Sequence, residues 1–157
     1  MNLVDKALEI CVSAHGTQLD KAGRLYSQHP IRVSNRVPTL IHFNLGFMTE
    51  DDFCVTALLH DVLEDTSMNE EDLVKAGFPA HIIEAVKCLT RHKNIENYKE
   101  YIKRVSTNTL ARAVKLADLE DNMDMSRVRN STPEVQKQVL SLIKDRYVEA
   151  YLYLLEH

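Results

Sequence analysis

The stretch CVTALLHDVLED, residues 54–65, decides how the rest of the chain is read. At about 100° per residue, Val55, Leu58, Leu59, Val62 and Leu63 fall on one side of a helix. His60, Glu64, Asp61 and Asp65 follow one another around the opposite arc, with no Lys or Arg among them. Asp61 and Asp65 form a like-charge i, i+4 pair, and Glu64 and Asp65 stand near the negative end of the helix dipole. Three carboxylates and a histidine are thus collected against local electrostatic preference. Such a strip is either a solvated acidic face or the site of a cation that reverses the sign of those interactions.

A second stretch, LARAVKLADLEDNM at residues 110–123, sharpens the choice. Leu110, Ala113, Val114, Leu116, Ala117, Leu119 and Met123 occupy most of the circumference, as in a helix buried nearly all round. Lys115, Asp118 and Asn122 share the narrow polar arc that remains. A carboxylate there needs a partner, which Lys115 at i−3, a capping group or a metal could supply. Metal ligation is the reading that accounts for Asp118, the acidic strip and a third feature together: His29, standing before Pro30 at a helix start.

Helices account for the rest of the chain as well. Four Gly and four Pro in 157 residues leave few tight turns, and Leu, Glu, Lys and Ala dominate long runs. Asn2 caps a predicted helix to about His15, and a polar loop from Gly16 to Gln28 carries the turn Asp20-Lys21-Ala22-Gly23. The helix opened by His29-Pro30 is expected to bend near Pro38 and to end before Gly46. Thr49 and Asp52 form a capping pair for a helix through about Leu63. Further helices are predicted from Asn69 to Gly77, Pro79 to about Thr90, Tyr98 to Val105, Leu110 to Met123, and Thr132 toward the C-terminus. With no alternating strand-length run, no repeat and no linker, the expected fold is all-α, one helical domain over residues 1–157.

A net charge of −4 argues against a protein that lives on nucleic-acid phosphates, while leaving room for one small phosphorylated ligand. Cys11, Cys54 and Cys88 are scattered and odd in number, which suits reduced thiols better than a disulfide framework. Asp5, Lys6 and Glu9 break any signal-peptide core, and no run approaches a membrane span, so the expected location is the cytoplasm. Nothing in the chain speaks to oligomeric state.

His29-Pro30, then ALLHDVLEDT, then VKLADLEDN resemble the HD superfamily of metal-dependent phosphohydrolases. The opening segment HGTQLDKAGRLYSQHP, with Gln18, Lys21, Gly23 and Tyr26, is similar to the hydrolase domain of the RelA/SpoT enzymes and to the single-domain small alarmone hydrolases. The resemblance spans roughly the first four-fifths of the chain, through several motifs in family order. It implies an HD-type helical bundle that removes the 3′-pyrophosphate of (p)ppGpp, some relatives also taking the 2′-phosphate of NADPH. It implies hydrolysis only, with no synthetase domain. Carried across by position, His29, His60, Asp61 and Asp118 match the metal ligands, and Glu64 and Asp65 match the acidic pair that handles the attacking water. Lys21 and Asn122 match nucleotide contacts, and Lys115 is placed to offset phosphoryl charge. The implied cofactor is Mn²⁺, with other divalent transition metals compatible with the same ligand types.

Two positions depart from the family pattern. Asp20 stands where alarmone hydrolases usually have an Arg that stacks on guanine, which predicts relaxed base specificity. Leu119, Glu120 and Asp121 replace basic or aromatic residues and are expected to remove positive charge near the polyphosphate. Among the remaining residues, His15 is expected to be structural, and Arg91-His92-Lys93 an ordinary solvated loop. One of Arg127 and Arg129 is expected to offset Glu120 and Asp121, and Tyr98 and Tyr101 to pack in the core; His42, His81 and His157 have no partners in the pattern. Alternatives to (p)ppGpp hydrolysis are an HD nucleotidase acting on nucleoside monophosphates or NADPH, and a nucleotide-binding regulator without turnover. Glu64 and Asp65 together argue against the regulator, since a binder needs neither.

Overall fold

Local sequence signals set most helix boundaries in the computed structural model, which describes residues 2–40 and 47–157. Asn2 accepts from the Asp5 amide at 2.8 Å and starts α1, Leu3–His15. Thr49 and Asp52 close the predicted capping box at the start of α3, Glu50–Leu59. The same device opens α5, Glu70–Lys75, with Asn69 and Asp72, and α7, Tyr98–Ser106, with Asn97 and Glu100. Pro79 precedes α6, Ala80–Leu89, and Asn108 caps α8, Thr109–Met123. Among the described residues the only β-type pairing is an isolated bridge between Leu19 and Leu25.

The helix α2, Gln28–Leu40, contains Pro38, which cannot donate to the Ser34 carbonyl one turn earlier. That carbonyl instead faces Cys54 Sγ at 3.9 Å, on α3. The predicted end of this helix before Gly46, and His42, lie outside the described residues.

The predicted helix through Leu63 is corrected. Regular α-structure stops at Leu59, and α4, Val62–Asp65, begins only after His60 and Asp61. Asp61 adopts φ −103°, ψ −4°, the sparsely allowed bridge region in which active-site residues often sit. The apolar periodicity runs through this break, so the sequence gives no warning of it.

Buried all round, α3 separates two apolar clusters. Phe53 and Ala57 pack with Val33, Val37, Val114 and Leu119. Val55, Leu58 and Leu59 pack with Ala7, Leu73, Ile82 and Val86. The predicted apolar face of residues 55–63 is therefore one side of a helix that is apolar on the other side too. Together α2, α3 and α8 form the centre of the molecule, and their polar residues can only meet where the three helices converge. After α8, a 3-10 turn, Met125–Val128, leads to α9, Pro133–Leu142, and α10, Val148–Glu156. A π-helical turn, Ile143–Tyr147, joins the last two. No described helix is long and apolar enough to cross a membrane.

Candidate metal centre and active site

Three helices bring His29, His60, Asp61 and Asp118 to one point. His29 Nε2 lies 3.0 Å from Asp118 Oδ1 and 3.7 Å from Asp61 Oδ2. His60 Nε2 lies 3.0 Å from Asp61 Oδ2 and 3.8 Å from Asp118 Oδ1. One ligand atom each from His29, His60 and Asp61 falls within 4.8 Å of the others, the spacing of a group able to hold a metal ion.

The far sides of both imidazoles fix what faces that point. His60 Nδ1 lies 2.6 Å from the Ala57 carbonyl, an acceptor only, so Nδ1 carries the proton. His29 Nδ1 lies 2.7 Å from Asp121 Oδ2, with the same consequence. A neutral ring then presents a bare Nε2 lone pair to a carboxylate, acceptor against acceptor. His60 Nε2 has no hydrogen-bond partner although it is fully buried. Two routes relieve the conflict: protonating Nε2, or placing a cation between the four groups. The donor set, two imidazoles with two carboxylates, each imidazole oriented from behind, fits a divalent transition metal.

Charge follows the same logic. Burial alone would lower the His29 imidazolium, but hydrogen bonds and charge from Asp118, Asp121 and Asp61 raise it to about 9. His60 is raised as well, Asp61 overcoming its burial. Burial works against the Asp61 and Asp118 carboxylates. His60 and His29 hold Asp61 well below the usual range, and Lys115, His29 and His60 do so for Asp118.

Asp118 meets both partners that the sequence offered as alternatives. Its Oδ1 faces His29 and accepts from Asn122 Nδ2 at 2.6 Å, while Oδ2 pairs with Lys115 Nζ at 2.7 Å. Lys115 also sits 5.2 Å from the Tyr101 ring centre. Lys115 and Asn122, expected to touch substrate, line the cavity and spend their closest contacts on holding Asp118. Tyr26 plays the matching part for Asp61, its hydroxyl donating to Oδ2 at 2.6 Å.

The acidic pair separates. Glu64 Oε2 accepts from the Arg91 amide at 3.0 Å, and Oε1 pairs with Lys93 Nζ at 2.8 Å. The loop expected to be merely solvated is therefore fastened to Glu64. Asp65, an exposed residue on the cavity wall, is raised by desolvation of its carboxyl and then by the charges of Asp61 and Glu64.

Both departures from the family pattern have a different physical meaning from the one expected. Asp20, with its side chain only 5% exposed, turns its carboxylate into its own loop, accepting from the Ala22 amide at 2.8 Å and the Arg24 amide at 3.0 Å. The Asp20 amide donates to the Arg24 carbonyl at 2.7 Å and Tyr26 to Gln18 at 2.8 Å, so the loop is a small hairpin that carries Lys21 at its tip. Asp121 is fully buried and does not face the cavity. Its carboxylate accepts from His29 Nδ1 at 2.7 Å and Arg32 Nε at 2.9 Å and pairs with Arg127 Nη1 at 3.0 Å, which donates to the Asp121 main-chain carbonyl at 2.8 Å. Glu120 accepts from the Tyr151 hydroxyl at 2.6 Å, away from the site. His15, expected to be structural, is buried with Nδ1 2.9 Å from Gln18 Oε1. His81, assigned no partner, lies 3.1 Å from Asp52 Oδ1 beside the α3 cap.

A cavity of about 440 Å³ opens over His29, Asp61 and Asp118. Lys21, Arg91, Lys93, Arg127 and Arg146 contribute cations to its wall, and Leu19, Val128, Val139 and Leu142 an apolar side. Arg146 and Tyr147 come from the π-helical turn, a contribution that nothing in the sequence signals.

No family model matches the chain. It is 29% identical over 135 residues to a GTP pyrophosphokinase of Myxococcus xanthus, covering 78% of this chain and 17% of that protein. It is 36% identical over 102 residues to a guanosine-3′,5′-bis(diphosphate) 3′-pyrophosphohydrolase of Borreliella burgdorferi, covering 65% and 14%. The chain thus spans about a sixth of the length of these curated relatives. Its fold matches a solved structure described as a metazoan ortholog of SpoT that hydrolyzes ppGpp, with a TM-score of 0.74 at 24% identity over 99% of this chain and 86% of that one. In sequence over much of its length and in fold over nearly all of it, the chain resembles the HD-type hydrolase domain of the RelA/SpoT proteins.

Proposed function

We propose that this protein is a metal-dependent phosphohydrolase that removes the 3′-pyrophosphate of (p)ppGpp or a close analogue, with Mn²⁺ as its metal. The observation that carries the reading is the convergence of two Nε2 lone pairs and two carboxylates beneath a cavity walled by cations. Relatives named for 3′-pyrophosphohydrolase activity support the choice of substrate.

His29, His60, Asp61 and Asp118 would hold the metal. A bound divalent cation supplies Lewis-acid activation of water and of a phosphoryl oxygen. Asp65 takes the proton of the attacking water, since its raised affinity for protons suits a general base and its side chain is not fastened elsewhere. Glu64 acts through the Arg91–Lys93 loop, which it fixes over the cavity. The water oxygen forms a bond to the phosphorus as the bond from phosphorus to the ribose 3′-oxygen breaks; the proton taken by Asp65 passes to the 3′-oxygen, which leaves as a hydroxyl, and pyrophosphate is released. Lys115 and Asn122 keep Asp118 in place, while Lys21 faces the phosphates.

The test is an assay of purified protein with added manganese, detecting phosphate and pyrophosphate separately. Its substrates are ppGpp, its adenine counterpart, NADPH and nucleoside monophosphates. Pyrophosphate from ppGpp is expected. A preference above about tenfold for monophosphates would move the protein to the nucleotidase reading. His60→Ala and Asp118→Ala should each lose bound metal; unchanged metal content in both would sink the centre.

A further inference from the structure

The last carbonyls of α6 are held by side chains of α7. A helix end leaves carbonyls without intrahelical partners, and a Gly in the left-handed region or water is the usual remedy. Here Arg104 Nη1 donates to the Cys88 carbonyl at 2.8 Å, and Nη2 to the Thr90 carbonyl at 3.0 Å. Between them the Tyr101 hydroxyl donates to the Leu89 carbonyl at 2.7 Å. Tyr101 and Arg104 are three residues apart and share one face of α7, so two neighbouring side chains fix three consecutive carbonyls. A guanidinium presents its N–H groups in one rigid plane, which sets the direction in which the chain leaves α6.

The loop that follows is gripped a second time. Arg104 Nε donates to Glu96 Oε2 at 3.1 Å, and Glu96 Oε1 accepts from the His92 amide at 2.8 Å. The His92 carbonyl accepts from the Ile95 amide at 3.0 Å and the Glu96 amide at 3.1 Å, so residues 92–96 close on themselves. What this leaves for the cavity is the Arg91 amide and the Lys93 ammonium, which meet Glu64 at 3.0 Å and 2.8 Å. Among the described residues, Arg91, Lys93 and Glu64 line the cavity, whereas Arg104 and Glu96 do not. The same face of α7 sets the Tyr101 ring 5.2 Å from Lys115, the partner of Asp118. One helix thus ties the loop of Glu64 to the helix that carries Asp118.

We infer that Arg104, with Glu96, is a positioning residue for the hydrolysis: it fixes the exit of α6 so that the Arg91 amide and the Lys93 ammonium reach Glu64 at the cavity. The inference rests on the phosphohydrolase reading for the reaction that is served, while the clamp itself is a property of the fold. Solvent would satisfy the same carbonyls without fixing the path of the loop. Loss of the guanidinium fork frees residues 90–93, and Glu64 then lacks the two donors that hold it apart from Asp61 and Asp65. A displacement of about 1 Å in such a group is worth up to about 10²-fold in rate, even when its cause lies outside the chemistry.

Two measurements on the full chain test this. The first compares turnover of ppGpp with manganese in Arg104→Gln, in Glu64→Ala and in the double variant. Arg104→Gln should lower kcat by about 10–100-fold with bound manganese unchanged. In the Glu64→Ala background the same substitution should cost less than about threefold, because the loop no longer has Glu64 to place. A merely structural role would give the same loss in both backgrounds. The second measurement is amide hydrogen exchange of the manganese-loaded protein, which needs no turnover. Arg104→Gln should speed exchange at Arg91 and His92, whose amides Glu64 and Glu96 accept, and leave α3 unchanged. Both are made well below the melting temperature of each variant. Arg104→Lys, which keeps the charge without the fork, takes the place of Arg104→Gln if that variant does not fold, and should show the same pattern in part. Faster exchange at Arg91 and His92 in a protein that hydrolyses no phosphorylated nucleotide would overturn the hydrolase reading and keep the clamp. Equal losses in the two backgrounds, or unchanged exchange at both amides, would overturn the positioning role.

Discussion

Neighbours in sequence, Glu64 and Asp65 do different things because of what each carboxylate meets. Glu64 is tied to the Arg91 amide and to Lys93, and Asp65 is left among negative neighbours. Asp65→Asn is therefore expected to keep the metal and lose turnover by about 10²–10⁴-fold, the usual worth of a proton acceptor. Glu64→Gln keeps a carbonyl oxygen for the Arg91 amide and gives up only the Lys93 pair, so its loss should be smaller. Steady-state rates of the two variants decide the point, and a larger loss in Glu64→Gln would return the base to Glu64. Asp121 acts at one remove: fully buried, it orients His29 through Nδ1 and neutralises Arg32 and Arg127. Asp121→Asn should weaken metal binding by about 10–100-fold, as for other carboxylates behind a ligand histidine. A metal-competition titration reads this directly, and an unchanged affinity would leave Asp121 a purely structural residue. From sequence alone Asp121 is expected to remove positive charge near the polyphosphate. Its burial depends on Arg32, Arg36 and Arg127, which no local pattern ties to it.

Among the elements, those with local stop and start signals were readable. Asn2, Thr49, Asn69, Asn97, Asn108 and Thr132 each cap a helix where the sequence places one, because a cap is a contact between near neighbours. Two features that shape the site were not. The break at His60-Asp61 lies inside an unbroken apolar pattern, and the π-helical turn at Ile143–Tyr147 carries no special residue. Both are settled by packing against other helices. The hairpin at residues 18–26, by contrast, is built on its own loop contacts. Its use of Asp20 bears on the expectation of relaxed base specificity. Replacing Asp20 with Arg would have added a stacking surface were the side chain facing the base. It faces the Ala22 and Arg24 amides instead. Asp20→Arg should thus loosen the hairpin, cost roughly 1–2 kcal/mol of stability from the two lost acceptor contacts, and lower kcat/KM for guanine and adenine substrates alike. A selective gain on guanine substrates, measured side by side, would restore the stacking argument.

Across the whole molecule, the centre of the helical bundle carries a charge arrangement that either protons or a metal can complete, and the two compete. Without metal, His29 holds its proton up to about 9 against an ordinary value of 6.5. A group raised on folding stabilises the folded state fully below its unfolded pKa, and that contribution disappears as pH climbs through its folded pKa. Metal-free protein should accordingly lose stability between about pH 6.5 and pH 9, with His60, also raised, acting in the same direction. Metal binding must displace these protons, so its affinity rises across the same interval. The melting temperature in chelator should fall over that window, while the gain on adding manganese should widen. A metal at about a hundred times its dissociation constant contributes about 2.7 kcal/mol, or about 5–10 °C for a domain of this size. His60→Ala removes one raised group and one ligand, so it should flatten the pH dependence in chelator and abolish most of the metal-induced gain. Melting curves at several pH values, with and without manganese, provide the check. A metal-induced gain that stays constant from pH 6.5 to pH 9 would mean that the cation does not replace protons on these histidines.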